Sequence, residues 1–199
     1  QDLLAIEEEI ASAIISALRL ELTGQEKIAI AERRIDNVQA YEFYLKAKRE
    51  ILISTKEGFD RALQYLEKGV RIVGENAMLN AGIGYVYFSY ANLGIRGEEY
   101  EKKAEMFANK ALEMASESSE AHLVLGLINS AFFGNQQKAV DHLKKALTGN
   151  PNDGDILWWL GTTYAFVGKM VATERMAERL SEVDPLNPQV VPAKVIFNH

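Results

Sequence analysis

The sequence predicts an all-α solenoid of about four stacked helix hairpins, preceded by one amphipathic helix. An apolar residue followed by glycine recurs at Gly84, Gly126 and Gly161, which are 42 and 35 residues apart. A second pattern, made of small and apolar residues, occurs four times, and its successive copies are 42, 35 and 34 residues apart. All four prolines lie from Pro151 onward, so no proline interrupts a helix in the first three quarters of the chain. Periods of this length are typical of helical-repeat proteins. The second pattern begins at Ala62, Ala104, Ala139 and Thr173.

Each unit is predicted to form two helices joined by a short turn, and the Asn, Asp, Gly and Pro residues between units predict the helix ends. In the N-terminal stretch, Leu3, Ile6 and Ile10 follow a 3-4 spacing that places a narrow apolar seam on one helix. We expect this seam to pack on the first hairpin. The predicted divisions are an amphipathic helix at 1–22, a degenerate first hairpin at 23–75, repeat units at 76–117, 118–152 and 153–185, and a cap or truncated next repeat at 186–199.

The stretch "LWWLGTTYAFVGKMVATERMAERLSEVDP" resembles the tetratricopeptide repeat (TPR), a helix pair of about 34 residues. It carries the Leu-Gly pair at Gly161, the tyrosine Tyr164, the turn glycine Gly168 and the closing proline Pro185. Two positions depart from the pattern: Thr173 stands where the family has alanine, and the third unit has asparagine in place of tyrosine. The resemblance implies a right-handed solenoid whose first helices line a concave binding surface.

Residues 1–70 are also similar to the segment that precedes the repeats in large bacterial regulators. The stretches "DLLAIEEEIASAIISAL", "NVQAYEFYLKAKREI" and "GFDRALQYLEKGV" carry this likeness. In such regulators an adenylate-cyclase, winged-helix or protein-kinase domain is followed by a TPR region. The resemblance implies a helical, non-catalytic regulatory part. Because the chain opens on "QDLLAIEEEI" without a methionine or a signal pattern, we expect it to be a piece of a longer protein.

Composition argues against several functional classes. A net charge of −6 and a pI near 5.2 disfavour nucleic-acid binding, which needs a basic face. No uncharged apolar run reaches the roughly 18 residues of a membrane-spanning helix. The absence of cysteine excludes disulfides, thiol catalysis and thiolate metal sites, and it fits a cytoplasmic location.

No catalytic set, metal site or cofactor site is predicted. The three histidines are not spaced as paired metal ligands on one helix. The Gly82-x-Gly84 pattern lacks the third glycine of a dinucleotide-binding loop, so both glycines are predicted to allow close helix packing. Acidic runs such as 117–120 are predicted to be solvated faces. We therefore expect no enzymatic activity and no cofactor within this sequence.

The first helix of each unit is predicted to present a separate stripe of side chains to the concave surface. In the last unit, Leu157 and Leu160 have the spacing of the packed face, whereas Trp158 lies about 100° further round the helix. Trp158 is therefore predicted to face the groove, and equivalent positions of earlier units extend the stripe. The candidate partner-binding residues are Tyr85, Phe88, Leu123, Leu127, Trp158, Thr162 and Phe166.

These positions predict a protein-interaction scaffold that takes an apolar helix or an extended peptide in its groove. They hold no lysine or asparagine, which TPR chaperone adaptors use to clamp a terminal carboxylate, so weak or no binding of acidic chaperone tails is predicted. Three alternatives remain open. The N-terminal seam could form a homodimer, the chain could belong to an enzyme whose catalytic domain lies elsewhere, and the C-terminal segment "PQVVPAKVIFNH" could cover part of the groove.

Overall fold

The computed structural model describes residues 35–186 of the chain. Over this range the chain forms eight α-helices and contains no strand. The predictions for the helix at 1–22 and for the segment beyond residue 186 lie outside the described residues. The helices are α1 (Val38–Leu52), α2 (Lys56–Val73), α3 (Ala77–Asn92), α4 (Gly97–Met114), α5 (Ser119–Ala131), α6 (Gln136–Gly149), α7 (Gly154–Phe166) and α8 (Met170–Val183).

Polar side chains in the turns fix where most of these helices begin. Asn37 accepts a hydrogen bond from the backbone N–H of Ala40 at 3.0 Å, and Asp153 accepts one from Ile156 at 3.0 Å. Such caps satisfy backbone donors that have no partner inside the helix. Thr55, Asn76, Ser118 and Asn135 cap α2, α3, α5 and α6 in the same way.

The helices pack as antiparallel pairs, α1 with α2, α3 with α4, α5 with α6 and α7 with α8. Both helices of each pair also contact the first helix of the next pair along the chain. Because contacts run between neighbouring pairs, the core is continuous along the stack, as expected of a solenoid. The predicted all-α repeat fold is therefore confirmed. The extra residues of the second unit lengthen its two helices to 16 and 18 residues, against 13 and 14 in the last hairpin.

Small residues allow the two helices of each hairpin to approach closely, as their spacing in the sequence predicts. A Cβ atom added at Gly126 would lie 2.6 Å from Cγ of Leu143, and one added at Gly84 would lie 3.1 Å from the carbonyl oxygen of Ala104. Both distances are shorter than ordinary carbon contacts. The facing helices contribute alanines that are fully buried, among them Ala104 and Ala139. Glycine and alanine therefore set the spacing between helices.

The two departures from the repeat pattern have local hydrogen-bond partners. Thr173 is fully buried, and its hydroxyl lies 3.2 Å from the carbonyl oxygens of Gly161 and Lys169. Asn129 is also buried and donates from Nδ2 to the carbonyl oxygen of Leu125 at 2.8 Å. Since buried polar groups are costly only when unpaired, both substitutions fit the helical core.

A histidine pair joins α5 to α6 inside the third hairpin. The Nδ1 atoms of His122 and His142 lie 3.1 Å apart, so one ring must donate and the other accept. His122 is buried, and its Nε2 has no hydrogen-bond partner within the described residues. Burial lowers the pKa of both imidazoles, and the neighbouring ring lowers that of His122 further. The neutral form of both rings is therefore favoured in the folded chain.

The close approach at Gly126 provides a stability test. Gly126→Ala should lower the free energy of unfolding by about 1–3 kcal/mol, because the added methyl group overlaps the Leu143 side chain. Gly97→Ala is the matched control, since no atom lies within 4 Å of the position that its Cβ would take. The control should be neutral or stabilising by about 0.5 kcal/mol. Urea denaturation measures both, and equal stability of the two variants would contradict this packing.

The histidine pair should make the fold acid-sensitive. Because both pKa values are lowered on folding, the unfolded chain binds more protons, and stability should fall as the pH decreases below about 6.5. In His142→Gln, the amide can still pair with His122 but does not titrate. The melting temperature of this variant should depend less on pH between about pH 7 and pH 5. If the melting temperatures of variant and wild type changed equally with pH, the histidine pair would not be the cause of the acid sensitivity.

Candidate functional site

A cavity of about 500 Å³ lies on the surface formed by the first helices of the hairpins. We call it the groove cavity. It runs obliquely, from the C-terminal half of α1, across α3, to the N-terminal ends of α5 and α7. Its volume lies within the range of about 300–1,000 Å³ that is usual for ligand-binding clefts. The stacking of successive hairpins thus brings the first helices of all four hairpins to a single concavity, to which α2 adds Phe59 and Leu66.

Aromatic side chains form one wall of the groove cavity, which we call the aromatic wall: Tyr44, Tyr85, Phe88 and Trp159. Three of these rings contact one another, within α3 and between α3 and α7. Phe88 and Trp159 meet edge-on with centroids 6.2 Å apart, and Tyr85 lies 6.1 Å from Phe88. These separations are typical of favourable aromatic pairs. The wall is therefore held by the core behind it.

Carboxylates also line the groove cavity, at the N-terminal ends of α5 and α7, which we call the acidic end: Glu120, Asp153 and Asp155. Glu120 is the second residue of α5 and Asp155 is the second residue of α7, while Asp153 caps α7. Burial raises the pKa of the Asp155 carboxyl, and the nearby charge of Asp153 raises it further. Lys48, on α1, partly opposes this effect. Asp155 is therefore poorly solvated, and it lies close to a second carboxylate.

The phenol groups of the aromatic wall lie within the field of these carboxylates. Burial raises the pKa of Tyr85, and Asp155 and Asp153 raise it further. The pKa of Tyr44 is raised by burial first and then by Glu120. Both phenols are therefore protonated near neutral pH. Each phenol is a potential hydrogen-bond donor and acceptor at the surface of the cavity.

The candidate residues on α3 and α5 fall into two groups. Tyr85, Phe88 and Leu123 line the groove cavity, so the structure brings them together; their contact with a partner stays a prediction. Leu127 is 0% exposed and belongs to the core between hairpins. Its assignment to the groove surface was wrong. The reason is that α5 is buried on every side from Ala121 to Asn129, so the sequence does not mark which apolar position faces the concavity.

On α7 the adjacent tryptophans have the opposite roles to those predicted. Trp159, not Trp158, lines the groove cavity. Trp158 is half-buried and packs toward α8, beside Leu180 and Ala177. Thr162 donates to the carbonyl oxygen of Trp158 at 2.9 Å, and Phe166 is 71% exposed at the end of α7; neither lines the cavity. The predicted stripe was therefore displaced by one residue.

Sequence reasoning also missed the acidic end. Glu120 belongs to a run that was interpreted as a solvated face. A signal was nonetheless present, because Glu120 and Asp155 are 35 residues apart, the same offset as Gly126 and Gly161. The caps Ser118 and Asp153 keep this offset too. A carboxylate therefore recurs at one position of successive repeats, which places both residues at the same end of the solenoid.

The described part of the chain shows neither a metal site nor a membrane-spanning helix. Between residues 35 and 186 no three His, Asp or Glu side chains are arranged so that they could hold one metal ion. Nor does any helix in this range have the length and hydrophobicity needed to cross a membrane. The groove cavity offers apolar contact, phenol hydroxyls and carboxylate acceptors, which are binding groups.

Comparisons with known proteins relate the chain to tetratricopeptide-repeat proteins. No family model matches the sequence. Among curated proteins, the chain is 27% identical over 139 residues to the mitochondrial tetratricopeptide repeat protein 19 homolog of Drosophila melanogaster. This match covers 62% of the chain and 37% of the fly protein, so the chain spans well under two thirds of that relative.

Solved structures share the fold. A thermophilic TPR protein of Thermus thermophilus superposes with a TM-score of 0.63 at 17% identity, covering 82% of this chain and 81% of that one. YrrB, a TPR protein with an unusual peptide-binding site, gives a TM-score of 0.50 at 20% identity over 92% of this chain and 88% of its own. MamA superposes with a TM-score of 0.50 at 21% identity, covering 72% of this chain and 81% of that one. The chain therefore has the helical-repeat fold of TPR proteins, a class of protein-interaction scaffolds.

The exchange of tryptophan roles has a measurable consequence. Trp158→Ala should lower the free energy of unfolding by about 2–4 kcal/mol, because it removes a half-buried ring from the α7–α8 interface. Phe166→Ala, which removes an exposed ring from the same helix, should change it by less than about 0.5 kcal/mol. Chemical denaturation provides both values. A Trp158→Ala variant as stable as wild type would restore the sequence-based assignment.

Proposed function

We propose that the chain is a TPR interaction module that binds a segment of another protein in the groove cavity. The carrying observation is the aromatic wall, in which the partly exposed rings of Tyr85 and Trp159 line a concavity and are backed by the buried ring of Phe88. Clustered aromatic residues in a partly desolvated pocket are the usual anchors of protein recognition. The proposed contact residues are Tyr85, Phe88 and Leu123, as the sequence predicts, together with Trp159.

The dimensions of the site favour a peptide over a globular surface. A cavity of about 500 Å³ accommodates a few side chains and the backbone that connects them. Repeat scaffolds commonly take helical or extended segments along such concave faces. YrrB, which shares the fold, has a peptide-binding site, and this supports the same mode of recognition here.

The charge of the groove disfavours an acidic segment. Among the described residues that line the cavity, Lys48 is the one cation and it faces three carboxylates. A peptide ending in a clamped carboxylate would find no cluster of lysine or asparagine at the positions of Tyr85, Leu123 and Trp159. The predicted lack of affinity for acidic chaperone tails is consistent with this charge.

The role of the module in a larger protein is a separate proposal. The resemblance of residues 1–70 to the region before the repeats in bacterial multidomain regulators supports a regulatory part that binds without catalysis. The described residues of this stretch, in α1 and α2, form a hairpin whose first helix lines the groove cavity. A regulatory partner bound in the groove would therefore touch both this hairpin and the later repeats.

A selection from a random 12-residue peptide library, displayed on phage, tests the proposed function on the full chain. Enriched peptides should bind with one-to-one stoichiometry by calorimetry. Ser89→Trp should weaken their binding at least tenfold, because Ser89 lines the cavity and the larger ring would fill it. Gln64→Trp, on the exposed face of α2, is the matched control and should bind as wild type does.

Two results would contradict the proposed function. The first is a library that yields no enriched peptide. The second is a set of enriched peptides that bind Ser89→Trp and wild type equally, which would place the site elsewhere. Circular dichroism should show the same helix content for wild type and both tryptophan variants, so that a loss of binding is not caused by unfolding.

A further inference from the structure

Asp155 is a half-buried carboxylate without a direct partner, and it lies in the groove cavity. Within residues 35–186 it accepts no hydrogen bond and forms no direct ion pair; Lys48 and Asp184 influence it only at longer range. Its neighbour Asp153 is engaged, because Asp153 accepts from the backbone of Ile156 and from the side chain of Asn150. A poorly solvated charge without a partner is costly. A ligand that supplied a cation would remove this cost.

A second, independent feature at the same end points to a ligand. Ser119 lines the groove cavity and is 1% exposed, yet its hydroxyl has no hydrogen-bond partner within the described residues. Buried hydroxyls are normally paired, so an unpaired one beside a cavity indicates a missing partner. The phenols of Tyr44 and Tyr85 line the same cavity, and no hydrogen bond engages them within residues 35–186. The two phenols, together with the buried Ser119 hydroxyl, are therefore the groups that a bound backbone could pair with.

The balance of charges around the cavity decides whether it favours a cationic or an anionic ligand. The N-terminal ends of α5 and α7 carry partial positive charge, which by itself would attract an anion. Three carboxylates already occupy these ends, and with Lys48 the lining has a formal charge of −2. The net charge of the chain, −6, adds long-range attraction for cations. Aromatic rings next to carboxylates also favour an ammonium or guanidinium group, since the face of each ring is electron-rich.

We infer that the groove cavity recognises a basic segment of a partner protein, in which a lysine or arginine pairs with Asp155 while an adjacent apolar side chain packs on the aromatic wall. This inference rests on the proposed function and specifies its ligand. The cation enters at the acidic end, and Glu120 and Asp153 stabilise it at longer range. Ser119, Tyr44 and Tyr85 hydrogen-bond to the backbone that carries it.

A charge-scanning selection on the full chain tests this inference. The probe is a displayed library of 12-residue peptides built from uncharged residues, with one central position that encodes lysine, glutamine or glutamate in equal proportion. Sequencing before and after selection gives the enrichment of each residue. Lysine should exceed glutamine by about tenfold, as expected of a charge-assisted hydrogen bond, and glutamate should be depleted. The affinity of a lysine peptide should weaken as salt is added.

Two variants locate the effect. Asp155→Asn should abolish the preference for lysine while still enriching peptides, because the aromatic wall is unchanged. Glu113→Gln removes an exposed carboxylate that does not line the cavity, and it should keep the full preference. Asp155→Lys should reverse the order, so that glutamate peptides are enriched over lysine peptides.

The outcomes separate this inference from the proposed function. Enrichment that is lost in Ser89→Trp but shows no preference for lysine overturns the charge inference and leaves the proposed function standing. A preference that persists in Asp155→Asn overturns the assignment of Asp155. Absence of enrichment for every peptide overturns both, and it is the result expected if residues 187–199 of this chain fill the groove.

Discussion

Close contact between the two helices of each hairpin is the constraint on which the rest of the structure depends. It is possible because one helix carries glycine, as at Gly126, and its neighbour carries fully buried alanine, as at Ala139. A hairpin joined through such small side chains buries little apolar surface by itself, so it must stack on another to complete its core. The apolar helices of successive pairs meet in this way: α5 packs on α3, α4 and α7 as well as on α6.

Stacking of this kind produces a surface that the fold itself does not cover. The first helices of four hairpins each contribute side chains to one shared concavity. Core side chains such as Phe88 therefore reach the cavity from behind, while Trp159 closes the same wall from the next hairpin. The rings that line the cavity are also packed into the core, so the contact residues of the proposed function are held in place by the fold.

The fold was readable from the sequence because the packing constraint repeats. Glycines and a second column of small residues recur with the same successive offsets, and together they define the helix pairs. The lining of the groove was less readable. An amphipathic helix shows which face is buried, but α5 and α7 are apolar on nearly every side, so their sequence leaves the rotation ambiguous. Trp158 and Trp159 differ by about 100° around the helix, and the position of α8 decides which of them is packed against a neighbour and which lines the cavity.

In the proposed function, the acidic end would give the repeat scaffold its specificity without a change of fold. Position two of α5 and α7 holds a carboxylate, and the helix dipole stabilises a negative charge there. Burial beside the groove opposes that stabilisation, as the raised pKa of Asp155 shows. A carboxylate placed where these two effects compete can be ionised and still lack a hydrogen-bond or ion-pair partner. A ligand of opposite charge would then stabilise it strongly. The same position recurs in each repeat. A change of residue type there would therefore alter the charge that a bound ligand must carry, while the helix packing stayed the same.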